Sequence, residues 1–142
     1  MQLSKKIPIT LIFTFLLVIL FSPGCKKYEE GPSISFRSRA ERVANNWKME
    51  KVTLNGADIT NQFTTINYTE SYDKEGNYSF NSSIQSGDGK WAFQNDDLEI
   101  RRSGVSGQSS ADLIILKLKE KSFWYQIIDG NDIYEFHLIP SE

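Results

Sequence analysis

SFWYQIIDGNDIYEFHLI, residues 122–139, carries the pattern that decides the fold. In its second half Tyr134, Phe136 and Leu138 share one parity, while Glu135 and His137 share the other. Side chains of a strand alternate between faces, so this spelling gives one apolar and one polar face. The two halves, 122–129 and 133–139, are joined by Asp129-Gly-Asn-Asp132, a link short enough for antiparallel neighbours.

Working outward, the same strand-and-turn grammar fills the chain from Trp47 onward. Residues 47–54 run into Asn55-Gly56, a strong hairpin signal. Further strands are predicted over 62–72, 78–85, 90–94, 98–102 and 112–119, which brings the total to eight. They are separated by Asp73-Lys-Glu-Gly-Asn77, Ser86-Gly-Asp-Gly89, Asn95-Asp-Asp97 and a Gly/Ser-rich loop at 103–110. No helical stretch long enough for a parallel crossover interrupts them. Tyr78 and Phe80 share a face, as do Trp91 and Phe93, and Ile114, Leu116 and Leu118.

One apolar face per strand and short links predict an all-β fold, an eight-stranded antiparallel up-and-down barrel that leaves no open edge. A two-sheet β-sandwich is the alternative. The interior of eight strands holds either its own side chains or one small ligand. The candidate lining residues are Trp47, Tyr78, Phe80, Trp91, Phe93, Tyr134 and Phe136. Before the barrel, Phe36, Ala40, Val43 and Trp47 recur at helical spacing over 36–46, and Ser38 with Glu41 matches a capping box.

The N-terminus has a different character. Lys5 and Lys6 precede the apolar run IPITLIFTFLLVILF at 7–21, which is shorter than the roughly 20 residues a membrane-spanning helix needs. This is the layout of a signal peptide. Ser22-Pro-Gly-Cys25 follows, and Cys25 is the single cysteine of the chain. The junction resembles the lipobox of bacterial lipoproteins, with Ser22 where leucine is usual. The resemblance implies that residues 1–24 are removed and that Cys25 carries the lipid. The rival reading is ordinary cleavage that leaves a free thiol. Residues 25–35 then form a lipidated tether, and 36–142 the barrel domain. Without residues 1–24 the chain holds 14 basic and 18 acidic residues, a net charge of −4. No basic stripe suited to nucleic acid is present. Lys26 directly after the cysteine fits an outer-membrane lipoprotein on the periplasmic or the surface face.

Several stretches together resemble a family. Asn46-Trp-Lys-Met49, Gly89-Lys-Trp-Ala-Phe93 with Leu98-Glu-Ile100, and Phe123-Trp-Tyr125 with Tyr134-Glu-Phe-His-Leu138 are similar to the lipocalin-like lipoproteins of Bacteroidetes. The resemblance covers about 38–140 and departs at Asn45, where glycine is typical. It also lacks an arginine after Arg102 to pack over the first tryptophan. It implies a membrane-anchored barrel; with 13% aromatic residues the interior is expected to be largely filled, and the ligand expectation is a small apolar molecule near the open end, gated by the 36–46 helix or the 103–110 loop. The competing expectation is a tethered module that docks an envelope protein through its loops and through Leu113, Ile115 and Trp124, if those alternate outward.

Enzymatic chemistry and cofactors are not expected. His137 is the single histidine, on the outward parity of the last strand, with no nucleophile converging on it. One histidine and one cysteine exclude the common zinc sets. Adjacent Asp96 and Asp97 fit a turn better than a carboxylate pair, and Asp129-Gly-Asn-Asp132 lacks the alternating oxygens of a calcium loop. Asn67-Tyr-Thr69, Asn77-Tyr-Ser79 and Asn81-Ser-Ser83 spell glycosylation sequons, which a bacterial lipoprotein leaves bare.

Overall fold

Asn55 and Gly56 take φ of 50° and 83°, and the two-residue turn they make reverses the chain between β2 (Asn46–Leu54) and β3 (Ala57–Asp58). Left-handed dihedrals at both positions are what a type I′ hairpin turn requires. The computed structural model describes residues 29–30, 36–106 and 109–142. The expected signal peptide, Cys25 and most of the expected tether lie outside the described residues. Within that tether Glu29–Glu30 forms a short strand, β1.

The remaining elements are α1 (Arg39–Val43), α2 (Thr60–Thr64), β4 (Thr69–Tyr72), β5 (Asn77–Asn81), β6 (Ser86–Gln94), β7 (Glu99–Ser103), β8 (Ala111–Lys119), β9 (Ser122–Asp129) and β10 (Asp132–Pro140). Around the sheet the order is β8-β7-β6-β5-β4-β2-β10-β9, and β9 pairs back onto β8. All eight pairings are antiparallel. The fold is therefore a closed up-and-down barrel of the lipocalin-like kind. β7 covers only Ala111–Ile114 of β8, and β1 adds in parallel beside Lys117 and Leu118 on the same edge.

Strand direction defines two ends. α1 and the turns 73–76, 95–98 and 120–121 lie at one end. α2, the turns 55–56, 82–85 and 130–131, and residues 104–106 and 109–110 lie at the other. α1 closes its end: Val43 and Trp47 are fully buried, and Trp47 Nε1 donates to the Val43 carbonyl at 2.9 Å. Arg42 Nη1 reaches the Leu118 carbonyl at 3.3 Å. The expected gating by the 36–46 helix is thus corrected, because α1 plugs the end opposite residues 104–106 that follow β7. The Ser38–Glu41 capping box forms as expected. Phe36, expected on the helix stripe, is instead 99% exposed, since the helix begins only at Arg39.

Two expected strand assignments change. Residues 62–68 are not strand: α2 and a turn occupy them, although Thr and Ile favour strands. Asp58 Oδ1 collects both the backbone N–H and the hydroxyl of Thr60, which turns the chain. Phe63 then meets Tyr68 edge-on at 5.6 Å. Ser86–Gly89, expected as a turn, is the first half of β6. Its glycines face inward, and a Cβ at Gly87 would lie 2.6 Å from the Phe80 ring.

The face of β8 is also inverted. Leu113, Ile115 and Leu118 are buried, whereas Ile114 and Leu116 are only half-buried. A register shift between Ile115 and Lys117 inserts Leu116 as an extra residue. Such a bulge re-aims the side chains beyond it. It keeps Lys117 out of the core and turns Leu118 in. Leu113 and Ile115 therefore cannot belong to an outer docking patch, while half-buried Trp124 lies on the outer parity of β9.

The interior is filled. Trp47, Tyr78, Phe80, Trp91 and Phe136 are buried, and Phe93 and Tyr134 pack half-buried against them. Leu113→Ala should cost about 2–5 kcal/mol, the range for emptying a packed site. Ile114→Ala should cost clearly less by urea denaturation; equal losses would contradict the inverted face.

Candidate functional site

β4 begins Thr69-Glu-Ser-Tyr72, and the inward parity that buries Tyr72 also carries Glu70 into the barrel. Across the interior, β7 spells Glu99-Ile-Arg-Arg-Ser103 and buries Ile100 and Arg102 together. Glu70 is 2% exposed and Arg102 9%. A charge in such surroundings needs a partner and hydrogen bonds. Arg102 Nη1 donates to Glu70 Oε1 at 2.7 Å.

Four tyrosines complete the shell. Tyr125 OH donates to Glu70 Oε1 at 3.0 Å, Tyr68 at 3.3 Å and Tyr78 at 3.4 Å. Tyr72 OH donates to Oε2 at 2.8 Å. Tyr78 OH also accepts from Arg102 Nη1 at 2.8 Å, so it relays between cation and anion. The guanidinium lies 4.7 Å from the Tyr78 ring centroid and 5.7 Å from that of Tyr125. One carboxylate thus gathers five donors from β4, β5, β7, β9 and Tyr68 of the α2–β4 turn.

Burial, followed by the negative charge of Glu70, pushes all four phenols above their ordinary range. Burial alone would disfavour the Arg102 cation, but Glu70 and the tyrosines outweigh it and hold the guanidinium above its usual value. The arrangement keeps tyrosines neutral as donors and arginine charged. It offers no unoccupied nucleophile or base within the shell.

Of the seven residues expected to line the barrel, Tyr78 joins this shell. Trp47, Phe80, Trp91, Phe93, Tyr134 and Phe136 pack around it as apolar wall. Glu70 and Arg102 are the residues that reading for apolar parity passes over. The available signal was their parity with Tyr72 and Ile100.

The other expected features resolve locally. His137 stands on the outer face, stacked on Trp124 at 3.8 Å and joined through Nε2 to Glu135, while Lys117 Nζ lies 3.4 Å from the Trp124 ring centroid. Asp97 accepts from Arg39 at 3.0 Å. Asp132 accepts from Asn55 at 2.8 Å, which ties two turns together. Among the described residues no cluster of three His, Cys, Asp or Glu suits a metal, and no helix is long and apolar enough to cross a membrane. A groove of about 470 Å³ lies across β4–β6, edged by Ser71, Asp73, Ser79, Asp88 and Lys90, and is too polar to be the expected apolar pocket. No known family model matches the chain, and no curated protein does.

Arg102→Met should cost about 3–5 kcal/mol in urea denaturation, because it strands a buried carboxylate. Adding Glu70→Met should recover most of that loss; a double variant as unstable as the single one would contradict the pairing account. The tyrosines give a pH test. Their folded values lie above the unfolded value of about 10, so their stabilisation is complete below that pH and is lost as pH rises beyond it. Tyrosinate absorbance from Tyr68, Tyr72, Tyr78 and Tyr125 should appear only together with alkaline unfolding, and smooth ionisation of all tyrosines in the folded state would contradict this.

Proposed function

We propose that the chain is an envelope lipoprotein, tethered to the membrane by lipid on Cys25, whose lipocalin-like barrel takes a small apolar molecule at its mouth. The observation that carries the ligand reading is the seat of Val105. This residue stands in the loop after β7 yet is 6% exposed, folded inward over two glycines of β6. A Cβ at Gly89 would lie 2.8 Å from Val105 Cγ2, and one at Gly87 3.4 Å from Cγ1. A loop side chain resting on glycine-floored space is a plug that a ligand of similar size displaces. Beside it the Phe80 ring stacks on Tyr68, which is itself only partly buried. The anchor rests on the signal-like run and Cys25 of the sequence.

A second reading, a docking module for an envelope protein, is favoured by Ile128 and Ile133. They pair across β9 and β10 on the outer face and are 55% and 44% exposed. Isolation of the intact lipoprotein from its own envelope, followed by native mass spectrometry, separates the two. An apolar adduct that is held more weakly once Val105 is replaced by a bulky Trp supports the ligand reading. A co-purifying protein lost with Ile128→Lys supports docking. Cys25→Ala should release folded protein into the soluble fraction, and retention on the membrane would defeat the anchor assignment.

A further inference from the structure

We infer that Arg102 with Tyr72, Tyr78 and Tyr125 is a carboxylate receptor already occupied by the chain's own Glu70, which bars acid-headed molecules and reserves the barrel for uncharged apolar ones. The exclusion rests on the proposed ligand reading; the receptor itself does not. Every feature of a carboxylate site is present: a guanidinium at 2.7 Å, hydroxyl donors on both oxygens and aromatic walls that exclude water. The occupant is supplied in cis from β4 and already takes Arg102 Nη1 and the hydroxyls of Tyr72, Tyr78 and Tyr125. An incoming carboxylate would meet Glu70 as a like charge in a medium of low dielectric. An alcohol or ester brings no such charge. Tyr68 connects the two regions, since its hydroxyl reaches Glu70 while its ring stacks on Phe80 at 5.8 Å beneath the Val105 plug.

The full chain carrying Glu70→Ala, held in neutral detergent, tests the receptor. Its melting is followed by near-ultraviolet circular dichroism in about 0.1 M sodium acetate and in sodium chloride of equal ionic strength. Acetate should raise the melting temperature of the variant by about 5 °C or more and leave the wild type unchanged. If the variant is unfolded in chloride, acetate should restore its aromatic signal; no acetate response in either form overturns the receptor. An acetate response that survives in Glu70→Ala/Arg102→Met overturns it as well, because the anion would then sit elsewhere.

Specificity is read on the full chain in phosphatidylcholine nanodiscs, from displacement of an apolar fluorophore by dodecanol or dodecanoate. The wild type should favour the alcohol by about tenfold or more, the cost of one like charge held near the mouth, and Glu70→Ala should narrow that ratio. Equal binding of both overturns the exclusion and leaves the ligand reading intact. Binding of neither defeats the ligand reading and the exclusion with it, while the acetate response still decides the receptor.

Discussion

The bond between Arg102 and Glu70 joins opposite walls of the barrel through its interior, and much of the core is arranged to make it tolerable. A buried ion pair breaks even only when its remaining lone pairs and protons are satisfied. Here that condition recruits Tyr72, Tyr78 and Tyr125 as well as Tyr68, from strands that are not all neighbours in the sheet. The pair adds little net free energy against an apolar replacement, yet it penalises any register that separates its members. A one-residue slip of β4 would send Glu70 outward and leave Arg102 alone in the core. The polar cluster therefore acts on specificity of pairing more than on total stability.

The outline of the barrel was legible from parity and turn chemistry. Asn55-Gly56 marked a hairpin, and the alternation of Tyr134, Phe136 and Leu138 gave the face of the last strand. What stayed hidden was set by tertiary context. Residues 62–68 have strand-like composition, but Asp58 captures Thr60 and Phe63 is drawn to Tyr68 and Phe136, so the segment coils over the mouth. Ser86-Gly-Asp-Gly89 looks like a turn because of its glycines, which are there to give Phe80 and Val105 room. The central pair was hidden for a related reason. Charged residues are read as surface by default, and only the long-range meeting of β4 and β7 overturns that default.

Bulges explain the other departure. Both β2 and β8 carry an extra residue, at Glu50 and Leu116, and each insertion keeps a charged neighbour outside. Without the β8 bulge strict alternation would aim Lys117 into the interior beside Leu113 and Ile115. With it, Lys117 lies on Trp124, and a continuous outer row runs through Trp124 to His137. Alternation read from sequence assumes a uniform pleat, so a single bulge inverts the assignment for half a strand.

The two ends of the barrel then differ for a physical reason. At the α1 end, backbone acceptors are answered from within: Trp47 bonds Val43, Arg42 bonds Leu118, and both donors are buried. Opening that end would expose a tryptophan and orphan two polar groups. At the mouth, Val105 rests on glycine with no hydrogen bond of its side chain to lose. Displacing it would expose one small apolar side chain, a cost of about 1.5–3 kcal/mol. An asymmetry of that size confines any adaptable space to the mouth. On the proposed ligand reading, the charged centre, linked to the mouth through Tyr68 and Phe80, decides what enters.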